Sequence, residues 1–98
     1  MRTACVLASL LMSLPAAARD PDVGFSLAVR WCMACHVVEA NQSKATDNAP
    51  SFQDIAALPR TTAGSLDRYL SRGHTLMPDF SLDSQERNAL VTYILSLR

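Results

Sequence analysis

Residues 31–38 read WCMACHVV, and they hold two cysteines, Cys32 and Cys35, with His36 directly behind the second. Thiols at i and i+3 project from one face of a helical turn, so both sulfurs can reach the two adjacent vinyl groups along one edge of a haem macrocycle. Two thioether bonds then tie the ring to the backbone. An imidazole on the next residue is held under the ring centre, where Nε2 can take an axial position on iron while Nδ1–H seeks an acceptor. The pattern CMACH is the attachment signal for c-type haem.

Two other chemistries use such a cysteine pair. A thioredoxin-type dithiol normally sits at a strand-to-helix junction of an α/β fold, and no strand pattern runs through this sequence. A structural zinc site normally takes four ligands, and after Cys32, Cys35 and His36 the strong candidate for a fourth is His74. Haem attachment is the reading these residues satisfy most fully.

Upstream, the chain of 98 residues begins MRTACVLASLLMSLPAAARD, in which Arg2 precedes an apolar run from Val6 to Leu14, then a proline and three alanines. That order is expected of a secretory leader over residues 1–18, cut after Ala18, with a single domain over 19–98. The apolar run is short of the roughly 20 residues that a spanning helix needs. Removal of the leader would discard Cys5 and leave Cys32 and Cys35 as the only cysteines, too few for a disulfide framework. From Arg19 onward 8 basic residues face 9 acidic ones, a net charge of −1. Near-neutral, scattered charge excludes the usual electrostatic basis of nucleic-acid binding. A domain of this length buries a modest fraction of its surface, so a cofactor is expected to help fill its middle.

Helical patterns account for most of the remainder. Asp20 with Pro21 reads as an N-cap and first helical residue, and Gly24, Leu27, Ala28 and Trp31 mark the inward face of a first helix running to about Cys32. After a polar loop, Ser51 and Asp54 are expected to open a short helix carrying Phe52, Ile55 and Ala56 that Pro59 stops. A third helix is expected from Thr62, turning Leu66, Tyr69 and Leu70 inward and closing at Gly73 in the left-handed conformation. Asp83 and Glu86 form a capping box for a last helix whose stripe is Leu90, Tyr93, Ile94 and Leu97. The expectation is an all-α fold of four unequal helices around a gap.

An electron-carrying haem iron wants a sixth ligand, for which the chain offers Met33, Met77 and His74. Met33 lies between the cysteines and is tied to the ring edge, so it cannot cross to the far face. Met77 stands 41 positions beyond His36 in a proline-bounded loop, enough chain to return from the opposite side. Its thioether is a soft ligand that raises the reduction potential of haem iron. His74 is the rival, and as a purely structural residue it reads as an exposed imidazole just past a helix end.

With CMACH, NAPSF at 48–52, MPDF at 77–80 and VTYILSL at 91–97 in place, the whole of residues 19–98 resembles a small class I cytochrome c of the bacterial periplasmic kind. The resemblance implies that Cys32 and Cys35 carry the thioethers of one covalent haem c and that His36 and Met77 are its axial ligands. It further implies that the Pro50 carbonyl accepts the Nδ1–H bond of His36, with Ala49 standing where many members have glycine. First and last helices are expected to cross, with Gly24 admitting Tyr93. The implied activity is not enzymatic: it is one-electron transfer between periplasmic redox partners. A haem protein with an open sixth position, binding or sensing a ligand, and a dedicated subunit of a periplasmic oxidoreductase are the competing readings.

Overall fold

The computed structural model describes residues 21–98, so the leader, Cys5 and the Asp20 cap lie outside it. Its described residues form four helices and no strand: α1 (Pro21–Trp31), α2 (Phe52–Ala57), α3 (Ala63–Leu70) and α4 (Ser84–Ser96). The all-α expectation therefore holds.

Local sequence explains most of the boundaries. Proline opens α1, where its missing N–H costs nothing. The Ser51 hydroxyl accepts from the Asp54 amide at 3.0 Å to cap α2. That helix ends at Leu58, which takes an extended ψ of 132°, as a residue before proline is pressed to do. At α4, the Glu86 amide donates to the Asp83 carboxylate at 2.8 Å and the Asp83 amide to the Glu86 carboxylate at 3.0 Å, completing the expected box. A second box, unanticipated, caps α3: Thr62 and Ser65 exchange the same pair of bonds at 2.9 and 3.1 Å.

The end of α3 differs from expectation. The helix stops at Leu70 with Ser71 as its cap, and no described glycine has positive φ; the residue that does is Ser81, at 55°. Gly73 serves packing instead. A Cβ there would lie 3.3 Å from the Asp79 Cβ and 3.4 Å from its nitrogen, because the loop after α3 folds back on itself at this point.

The dominant packing is α1 across α4. Gly24 sits at the crossing, where an added Cβ would run into the Ala89 carbonyl and come within 2.6 Å of the Tyr93 Cβ. Phe25 and Tyr93 pack beside it with ring centroids 5.5 Å apart. Ala28, Leu90, Val91 and Ile94 fill the interface, and Phe52, Ala56 and Leu66 bring α2 and α3 onto it. Trp31, expected inward, is 39% exposed. It stands at the last residue of α1, and its ring lies against Phe80 at 5.3 Å rather than in the core. Tyr69 is likewise outside, 47% exposed, while Leu66 and Leu70 of the same helix turn inward.

Candidate functional site

The segment from Cys32 to His36 continues α1 by one further, irregular turn. The Cys32 and Met33 amides both bond to the Ala28 carbonyl at 2.9 Å, and the Cys35 and His36 amides then bond to the Cys32 carbonyl at 3.2 and 2.9 Å. Cys32, Cys35 and His36 are thus carried on one backbone turn anchored to the helix that crosses α4. Both thiols are free; Cys32 is buried and Cys35 half-buried. Burial, and then the neighbouring Cys35, push the Cys32 thiol up to about 11. The thioredoxin-like alternative lacks its strand-to-helix junction, since the described elements are all helices.

His36 is fixed from two sides. Its Nδ1–H donates to the Pro50 carbonyl at 2.6 Å, which selects the tautomer whose Nε2 carries a free lone pair. Its ring also lies against Phe52, with centroids 5.3 Å apart and planes at 52°. The Phe52 amide donates to the Val37 carbonyl at 2.9 Å, which sets the Pro50 carbonyl in register with the imidazole. Ala49 retains an ordinary negative φ, so the absence of glycine before Pro50 introduces no strain. From the far side of the core, the Tyr93 hydroxyl donates to the Val38 carbonyl at 2.5 Å. Burial, with Glu39 nearby as a smaller cause, raises the Tyr93 phenol above its ordinary 10.0.

Met77 lies in the loop between α3 and α4, half-buried. Its backbone is closed into a tight turn with His74: the His74 amide donates to the Met77 carbonyl at 2.9 Å and the Met77 amide to the His74 carbonyl at 3.2 Å. The Trp31–Phe80 ring contact sets this loop beside the attachment turn, since Trp31 precedes Cys32 and Phe80 follows Met77 by three residues. At the other end of the loop, Arg87 reaches the Leu82 carbonyl at 2.8 Å and Asp67 at 2.9 Å.

His74 is not the exposed imidazole that sequence suggested. It is half-buried, stacked on Tyr69 with centroids 3.6 Å apart and planes at 13°, and its Nε2–H donates to the Tyr69 carbonyl at 3.1 Å. That bond commits Nε2, so a zinc site would have only Nδ1 of His74 to draw on. Among the described residues no three His, Cys, Asp or Glu side chains converge as a metal cluster. Sequence reasoning also missed Gln42, whose amide bonds the attachment segment; an isolated glutamine in a polar loop carries no pattern that marks it.

The donor set suits a covalently held haem. Two reduced thiols and an imidazole with Nε2 free share one turn, and a thioether sits in the adjoining loop. Leu27, Ile55, Leu70 and Leu82 pack on the core without being closed over by it, leaving apolar surface of the kind a porphyrin face covers.

Comparison with known proteins agrees with this geometry. The Cytochrome c family profile matches residues 22–98. The chain is 40% identical over 93 residues to Cytochrome c-552 of Bradyrhizobium diazoefficiens, an alignment spanning 95% of this chain and 89% of that protein. No solved structure matches significantly. The chain belongs to the cytochrome c family: it is a small class I monohaem cytochrome, a haem electron carrier whose haem c is covalently bound.

Proposed function

We propose that this protein is a periplasmic one-electron carrier, exported by residues 1–18 and functioning as a domain of residues 19–98. In this reading Cys32 and Cys35 form the thioethers, His36 and Met77 are the axial ligands, and Pro50 orients His36. The observation that carries it is the 2.6 Å bond from His36 Nδ1 to Pro50, one residue past a reduced Cys32/Cys35 pair on the same turn. That bond holds the ring in one tautomer and strengthens Nε2 as a donor.

Bound haem supplies an iron that cycles between Fe(II) and Fe(III). With His36 and Met77 both holding the iron, no position would be left for a substrate, and the protein would transfer electrons without transforming a bound molecule. A thioether on one face biases the iron toward the reduced state relative to two imidazoles. Partners are then redox proteins approaching an exposed haem edge, and near-zero net charge makes their long-range steering weak.

Spin state and carbon monoxide binding of the purified protein test this reading. A carrier with both ligands in place is low-spin in both oxidation states and binds carbon monoxide slowly or not at all at neutral pH. Rapid binding by the native ferrous protein would establish the open-site reading instead. Stable co-purification with a larger oxidoreductase would make the chain a dedicated subunit.

A further inference from the structure

Gln42 lies in the polar loop after Val38, and neither thioether formation nor axial ligation uses it. Its side chain nevertheless holds the attachment segment at three points. The amide oxygen accepts from the Val38 N–H at 2.9 Å. The amide nitrogen donates to the carbonyls of Met33 at 3.2 Å, His36 at 3.0 Å and Lys44 at 3.3 Å. Two N–H bonds serve three acceptors, so at least one is shared. Only this orientation works, because turning the amide over would set its oxygen against three carbonyls and its NH₂ against an N–H.

Several other backbone groups of the segment already have partners. Cys32 carbonyl receives the Cys35 and His36 amides, Val37 carbonyl receives Phe52, and Ala34 carbonyl receives both the amide of Thr46 at 2.9 Å and its hydroxyl at 2.5 Å. Gln42 supplies partners for three more: a carbonyl between the cysteines, the carbonyl of His36 itself, and the N–H two residues beyond. A turn bond from the Gln42 amide to the Glu39 carbonyl, at 3.3 Å, bends the loop back to make this possible.

The geometry points to Gln42 as a positioning residue for the haem: a clamp that locks residues 33–38 into one rigid unit and thereby sets the orientation of the His36 imidazole. Pro50 fixes only the ring end of His36. With its peptide free to rock, the ring could tilt about the Nδ1 bond, and the overlap of Nε2 with iron would vary. Gln42 holds the backbone end. The inference rests on the assignment of His36 as proximal ligand made above.

Three variants of the haem-loaded protein test it: Gln42→Met, which keeps length but not hydrogen bonding; Gln42→Glu, which keeps an acceptor for Val38 but offers no donors; and Arg98→Met. The last removes a comparable tie, from Arg98 to the carbonyls of Ala56 and Thr61, in another part of the fold. The readouts are the iron-shifted haem methyl resonances of the ferric protein, the reduction potential, and exchange of the Val38 amide. Both Gln42 variants are expected to move the methyl pattern and the potential. Val38 exchange should rise ~10-fold in Gln42→Met, for one lost partly buried bond, and stay slow in Gln42→Glu. Arg98→Met should lower the melting temperature without moving methyl pattern or potential.

Gln42 variants that melt earlier yet keep the wild-type methyl pattern and potential would overturn the inference and leave Gln42 merely structural. Failure of both Gln42 variants to retain haem, with Arg98→Met loading normally, is the limiting form of the expected result. Failure of the His36 assignment shows separately: the wild-type ferric protein would then lack iron-shifted His36 ring protons.

Discussion

Two side chains in the loop after α3 carry donor atoms suited to iron, and their surroundings separate them. His74 spends its Nε2–H on the Tyr69 carbonyl and its ring face on the Tyr69 ring, whereas its bonds to Met77 are made by backbone alone. Met77→Ala should therefore turn the ferric iron high-spin, lower the potential and admit carbon monoxide. His74→Ala should keep the iron low-spin with nearly unchanged potential, losing about 1 kcal/mol of stability from the stack and the bond. Absorption spectra and redox titration of the two variants decide; swapped outcomes would transfer the ligand role to His74. Tyr93 offers a pH test at the same scale. Its folded-state phenol is raised above 10.0, so its contribution to stability is complete below that pH and is lost as pH climbs through the raised value. The melting-temperature gap between wild type and Tyr93→Phe should be constant below pH 10.0 and shrink above it. A gap that widened there would reverse the sign. Cys32, Cys35, His36, Pro50 and Met77, the residues proposed for the haem site, stood out in the sequence because each belongs to a motif. Gln42 and the Tyr69–His74 stack were not, since a hydrogen-bonding glutamine or a ring pair five residues apart looks the same exposed or engaged.

Helix starts were more readable than helix ends. The Asp83/Glu86 box announces α4 because both residue types at that spacing are specific to the motif, while the Thr62/Ser65 box of α3 uses a serine where Glu or Gln is the recognised partner. Gly73 suggested a left-handed stop for α3, but its missing side chain serves the close pass of Asp79 two residues beyond Met77, and the chain leaves the helix earlier, at Ser71. Trp31 followed the period of α1 yet stands exposed, because periodicity ignores where a helix runs out of partners. The α1–α4 crossing gives the sharpest prediction at this scale. Gly24→Ala would drive a methyl into the Ala89 backbone carbonyl, an atom that cannot swing aside as a flexible side chain would. The helices would have to separate, at a cost of about 3 kcal/mol. Thermal melts of the haem-loaded variant measure it; an unchanged midpoint would mean the crossing is looser than the structure shows.

Across the whole molecule, the core is small for what it supports. Among the described residues Leu90 and Val38 are the largest side chains it encloses completely, and several leucines around it remain half-covered. A chain of this size leans on its cofactor for burial. The variant carrying both Cys32→Ala and Cys35→Ala should lose covalently retained haem and, with it, most of its cooperative melting transition and much of its helical circular dichroism. A sharply melting, fully helical apo chain would show that protein side chains suffice.

All of these expectations descend from one proposal, that haem is bonded to Cys32 and Cys35. The intact mass of the purified protein, read together with its pyridine haemochrome spectrum, tests that proposal directly. The predicted result is a chain beginning at or near Arg19 that outweighs its amino acids by one haem and gives the spectrum of a haem with both vinyl groups converted to thioethers. A colourless protein weighing only its polypeptide, compact and soluble, would contradict it.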